Sequence, residues 1–263
     1  MTAQKTFIFI LPVLLIFMVG CSSTVELTST PINNKIDING DASDWGTSLK
    51  YIPDENVAVG VTNDDNYFYL CLTTNNVGKV MPMFMSGFTV WLEDKNNDAN
   101  TIGFRYPLHN IVNESRIMIN PGEFREKGRE MMISKMIKDQ NEIRILDKDK
   151  FPVTVISTSD SSGLTAGLGF NNGQFAYELR VPIKTDDKNK YGINVSSGEK
   201  LLVQFETEKP ERRNFNGRDE EGGMRPPGNM GGFPGNGRME GMNPDGERAP
   251  FEPINFSVEV TLK

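Results

Sequence analysis

Phe256-Ser257-Val258-Glu259-Val260-Thr261-Leu262 alternates apolar and polar side chains without a break. A period of two turns one row of a strand inward and the other toward water, whereas a helix would scatter both rows around its axis. The same alternation recurs in Val57-Ala58-Val59-Gly60-Val61, in Phe88-Thr89-Val90-Trp91-Leu92 and in Phe175-Ala176-Tyr177-Glu178-Leu179-Arg180-Val181. Between such runs stand Asn63-Asp64-Asp65-Asn66, Asn96-Asn97-Asp98, Ser161-Ser162-Gly163, Asn171-Asn172-Gly173 and Ser196-Ser197-Gly198, whose side chains and glycines set tight turns. Short strands punctuated in this way predict an all-β chain folded as an Ig-like or jelly-roll β-sandwich. The last run is expected inside it, with Phe256, Val258, Val260 and Leu262 pointing inward.

Three stretches leave this pattern. Asn120-Pro121-Gly122-Glu123 reads as an N-cap, a proline at the first helical position and a capping-box Glu. It predicts one short helix insertion to about Ile137, with Phe124, Met131, Met132 and Met136 against the sandwich and Gly128 as a weak point. Met81, Met83 and Met85 alternate around Pro82 and are expected on one side of an extended segment. Residues 209–250 are rich in Gly, Pro and Met and carry balanced charge. So little apolar surface does not offset an ordering cost of about 1–2 kcal/mol per residue, which predicts a long disordered loop. It is expected to join the strand Leu201–Glu206 to the closing strand as an enlarged hairpin connection, and to offer a surface to an envelope protein.

Composition narrows the partners. The 263 residues carry 28 Lys and Arg against 35 Asp and Glu, a formal charge of −7, so nucleic acid, whose phosphates need clustered cations, is excluded as a partner. One His leaves no His-rich zinc site. Residues 1–20 carry Lys5 and then the apolar run Phe7–Val19, too short to span a bilayer of about 30 Å comfortably, and read as a signal peptide. Met18-Val19-Gly20-Cys21-Ser22-Ser23 resembles the bacterial lipobox, with Met18 where Leu is usual. That resemblance implies acylation of Cys21, residues 21–33 as a lipidated tether, and, from Ser22, an address at the outer membrane with the bilayer as partner. Cys71 is then alone in a strand, which excludes a structural disulfide and predicts a buried, inert thiol.

Four segments in order resemble the family 9 carbohydrate-binding modules and their DOMON-like relatives. They are Ile36-Asp37-Ile38-Asn39-Gly40-Asp41-Ala42-Ser43-Asp44-Trp45, the strand pair within Val57–Leu72, Phe88–Asp98 and Gly173–Ile183. The resemblance covers most of residues 34–263 and implies one β-sandwich domain with noncatalytic sugar binding, or haem binding in the DOMON branch. Asn39 replaces the usual Asp, and no aromatic pair marks the late loop.

Candidate site residues follow from the chemistry of each reading. Trp91 is out of phase with Phe88, Val90 and Leu92, so its flat face is offered for stacking on a pyranose, with Tyr106 as companion. Trp45 is a second aromatic candidate, with a core anchor behind Asp44 as its alternative role. Asp94, Asn96, Asp98 and Asn100 place oxygen side chains at alternate loop positions, as Ca²⁺ requires, without an EF-hand's sixth-position Gly or closing Glu. For haem, the DOMON branch implies His109 with Met81, Met83 or Met85, and soft thioethers also suit Cu(I). Glu178 and Arg180 are expected to form a structural ion pair. No carboxylate pair is marked as acid and base, so no enzyme activity is expected.

Overall fold

The computed structural model describes residues 24–32, 36–97, 100–108, 126–147, 154–208 and 252–263. Two sheets organise them, with strands numbered along the chain. The seven-stranded sheet runs β1 (Val25–Thr28), β13 (Asn255–Thr261), β12 (Lys200–Thr207), β6 (Phe88–Asp94), β7 (Thr101–Arg105), β8 (Glu142–Asp147) and β9 (Thr154–Ser157). Its partner runs β10 (Thr165–Asn171), β11 (Gln174–Pro182), β5 (Tyr67–Thr74), β4 (Val57–Asn63) and β2 (Thr30–Pro31), with β3 (Leu49–Ile52) also paired to β4.

Alternation in the sequence becomes the core directly. Phe88, Val90 and Leu92 of β6, Val203 and Phe205 of β12, and Val258 and Val260 of β13 share one buried cluster with Phe68, Leu70 and Leu72 of β5 and Phe175, Tyr177, Leu179 and Val181 of β11. The Phe88 ring meets Tyr177 edge-on at 5.2 Å between the two sheets, a favourable geometry for rings. The protein is a β-sandwich. Its closing strand pairs with β12 in the register Val203↔Val258 and lies between β12 and β1, so it is internal as expected. Phe256 stacks on Phe205 at 4.7 Å. The connection 209–250 lies outside the described residues.

Part of the segment 21–33, expected as a tether, is paired into the two sheets. Val25–Thr28 pairs in parallel with Val258–Thr261, and Thr30–Pro31 pairs with Thr62–Asn63. Four residues and two residues are too few to show a period, so these strands carry no sequence signal of their own.

A second correction concerns the methionines. Val77–Ser86 is a helix, α1, not an extended segment. Asn76 caps it by accepting from the Gly78 N–H at 2.9 Å. Pro82 lacks the N–H that would reach the carbonyl of residue i−4, Gly78, and that carbonyl instead accepts from the Glu252 N–H at 3.2 Å. Asn76 Nδ2 also donates to Glu252 Oε2 at 2.8 Å, so α1 is fastened to the chain entering β13. Proline here is tolerated because a tertiary donor replaces the helical one.

The helix predicted to end near Ile137 is present as α2 (Glu126–Lys138) and packs on β10. Ile133 and Met136 are buried and Met132 is partly so, while Met131, expected against the sandwich, is 75% exposed. Its proposed cap at 120–123 and Phe124 lie outside the described residues.

Candidate functional site

Two of the three aromatic candidates are interior. Trp45, at 2% exposure, sits in a second cluster with Ile36, Tyr69 and Cys71 on the outer side of the six-stranded sheet, beneath the segment 36–48. Its Nε1–H donates to Glu178 Oε1 at 2.7 Å, while Glu178 Oε2 accepts from the Gly40 N–H at 2.6 Å and the Asn39 N–H at 2.9 Å. Burial raises the Glu178 pKa although these three donors oppose the shift. Trp45 is therefore an anchor and not a sugar platform. Gly40, at φ 81°, meets the Leu168 backbone so closely that a Cβ would collide with it, and Gly167 and Gly169 on β10 leave the matching space. The ion pair expected between Glu178 and Arg180 is replaced by other contacts. Arg180 donates to the Gly163 carbonyl and to Thr165 Oγ1, and its guanidinium lies 4.8 Å from the Tyr67 ring centre.

Tyr106 is likewise no platform. It is 3% exposed, its ring lies 6.3 Å from that of Tyr177, and its hydroxyl donates to the Gln140 carbonyl at 3.4 Å. Burial pushes its pKa up to about 12. Tyr106 follows Ile102 and Phe104 at a spacing of two, so it continues the inward row of β7 (Thr101–Arg105) and cannot share the outer face with Trp91.

Trp91 differs from both. It is half-buried on the outer face of β6, at the middle of the seven-stranded sheet, opposite Gly103 of β7 and Gln204 of β12. A Cβ placed on Gly103 would stand 2.6, 2.7 and 3.0 Å from Cε3, Cζ3 and Cδ2 of the indole. Near-equal distances to three consecutive ring atoms mean a face-on contact, so the indole is laid against the sheet where Gly103 leaves room. Its Nε1–H donates to Glu206 Oε2 at 3.2 Å, which sets the ring's rotation. Arg105 is the next residue of β7 on the same face as Gly103: its Nε donates to Thr89 Oγ1 at 3.2 Å and its guanidinium pairs with Glu208. A pinned aromatic face thus has carboxylates on the β12 side and the Arg105 guanidinium on the β7 side.

The remaining candidates divide. Asp94 is buried, and its Oδ1 accepts from the Asn96 N–H at 2.8 Å, closing the turn that Asp94 and Asn100 complete through their backbones. Asp98 and His109 lie outside the described residues, as does Cys21. Among the described residues no group of three or more His, Cys, Asp or Glu side chains is arranged to hold a metal ion. Met83 is fully buried in the core, Met85 is 49% exposed and Met81 is partly buried, so helical geometry places the three methionines in different surroundings and not on one side. Cys71 is buried and its thiol pKa is raised well above the usual value by burial, with Glu178 adding to the shift. Gly103, Glu206 and Glu208 were not singled out by the sequence. A lone Gly inside the strand Thr101–Arg105 is the one local signal that something approaches closely there.

No protein-family model and no curated protein matches the chain. Among solved structures, a family 9 carbohydrate-binding module from Caldicellulosiruptor kristjanssonii in complex with glucose is similar. It is 10% identical, covers 90% of this chain and 95% of its own, and has a TM-score of 0.37. A family 9 module from the same organism in complex with cellotriose shows 9% identity, coverage of 69% and 74%, and a TM-score of 0.33. At these values no residue of the site is carried over from either one.

Proposed function

We propose that the protein is a noncatalytic glycan-binding lipoprotein of the cell envelope, held at the outer membrane through acylated Cys21, with Trp91 as its stacking platform. The carrying observation is the Trp91 ring, set face-on over Gly103 and held by Glu206. A pyranose offers one flat C–H face and a rim of hydroxyls. An aromatic face already fixed in place takes the first without an ordering cost, and the charged groups of Glu206 and Arg105 suit the second. Both members of this polar rim are themselves tied down, Glu206 by the Trp91 Nε1–H and Arg105 by Thr89 and Glu208.

Trp91→Ala is expected to weaken binding by about tenfold or more, measured by affinity gel electrophoresis on glycans first identified with a glycan array. The melting temperature is expected to change by only a few degrees, because the ring lies on a sheet surface and not in the core. Unchanged glycan retention by a folded Trp91→Ala protein would remove the platform.

The anchor has its own test. Each acyl methylene contributes about 0.8 kcal/mol of membrane affinity, so several chains on Cys21 hold the protein firmly. Cys21→Ser is expected to move the protein from the membrane fraction to the soluble fraction. Retention of that variant on membranes at high salt would contradict lipid anchoring.

A further inference from the structure

Arg144 on β8 stands directly across from Arg105 on β7. Like charges facing each other across a strand pair destabilise it. Burial chiefly, and Arg144 next, lower the Arg105 pKa. Arg105 is compensated by Glu208 and Thr89. Arg144 is not: its Nε is buried without a hydrogen-bond partner, and among the described residues no carboxylate pairs with it. Two guanidinium groups that face each other on one sheet face, one of them with no carboxylate partner among the described residues, make that face suited to an anion.

The register places that site beside the aromatic platform. Trp91 lies over Gly103, Gly103 pairs with Leu146, and Arg144 is the next residue of β8 on the same face. Strands are about 4.8 Å apart and same-face neighbours about 7 Å apart along a strand, so the long Arg144 side chain reaches the edge of a sugar ring resting on Trp91. Acidic groups lie on the opposite side, Glu206 at the indole nitrogen and Glu208 at the strand end. The face is therefore polar across its width, which orients a ligand with its own negative group toward β8.

We propose that this face takes a glycan containing a uronic acid, its ring stacked on Trp91 and its carboxylate received by Arg144 with Arg105 alongside. This rests on the reading of Trp91 as a glycan platform. A carboxylate is planar and matches the fixed fork of a guanidinium with two parallel hydrogen bonds, which a neutral hydroxymethyl group does not.

The test compares acids with their neutral forms. Galacturonate, glucuronate and mannuronate oligosaccharides and their methyl esters are titrated calorimetrically into the full chain in detergent at low salt. At least one acid is expected to bind about tenfold more tightly than its ester, the difference shrinking as salt rises. Arg144→Met, which keeps the apolar stem, is expected to bring the acid down to the level of the ester while leaving the ester unchanged. Arg144→Lys, which keeps the charge and loses the fork, should fall between. If Arg144→Met does not fold, the comparison of acid and ester on the unaltered chain decides alone. Equal affinity for every acid and its ester, with both lost in Trp91→Ala, would overturn acid recognition and leave the platform standing. Binding of neutral glycans without any uronate would do the same. Absence of binding to any of these and to a glycan array would overturn both.

Discussion

Trp45→Ala is expected to lower the stability of the fold by about 4 kcal/mol or more, measured as a fall in the urea midpoint at unchanged slope. Two losses combine. Removal of a fully buried indole costs about 3–5 kcal/mol through lost burial and the cavity left behind. The second loss is the donor to Glu178, a carboxylate with no exposed surface that takes one of its three hydrogen bonds from Trp45 Nε1. A buried acceptor deprived of its partner costs roughly 1–3 kcal/mol. Trp45→Phe separates the two, since it keeps most of the apolar area and removes only the N–H, and its expected cost is about 1–3 kcal/mol. The segment 36–48 would then peel from β5 and β11 and expose Cys71, so thiol labelling should accelerate in step with the loss of stability. A Trp45→Ala midpoint equal to the wild type would mean that this segment is not part of the cooperative unit.

Ending the chain after Glu252 is expected to abolish the fold altogether. The deletion removes β13 from between β1 and β12, leaving β1 with no neighbour in its sheet. Val258 and Val260 are fully buried and Leu262 is 2% exposed, each contributing about 1.5–3 kcal/mol. Ile254, also fully buried, is lost as well, and Phe256 leaves the face of Phe205. A domain with a total of about 5–15 kcal/mol does not survive that sum. Circular dichroism should show no cooperative melt for the truncated chain. A transition near the full-length midpoint would place the closing strand outside the core and contradict the register of β12 with β13.

Strand phase was legible because the runs around Val90, Tyr177 and Val258 are long enough for a period of two to repeat; burial alternates from Val90 in β6 and from Val258 in β13, while β11 is buried on both faces because the segment 36–48 covers its outer side. Val25–Thr28 and Val77–Ser86 were not legible for opposite reasons. The first is too short to display a period and is held by pairing with a strand over 200 residues away in sequence. The second contains Pro82, which locally argues against a helix, and is helical because Glu252 supplies the hydrogen bond that Pro82 cannot. Among the aromatics, sequence phase placed Trp91 outward, whereas Tyr106, taken as its companion, shares the inward row of Ile102 and Phe104 and is buried with them.

By itself the sequence determined the all-β class, the inward rows of the long strands, the inclusion of the closing strand and the burial of Cys71, all of which depend on residues near one another in the chain. Tertiary structure alone decided which aromatic is a platform and which is an anchor. Trp45 and Trp91 are the same side chain, and each donates its Nε1–H to a glutamate. One is covered because Gly40, Gly167 and Gly169 let a distant segment close over it, and the other lies on the sheet because Gly103 leaves a flat bed beneath it. The pairing of Arg105 with Arg144 is decided in the same way, by a register joining strands separated by an intervening helix. Periodicity is a property of one strand, whereas a site is a property of neighbours across strands, and those neighbours are chosen only when the sheets assemble.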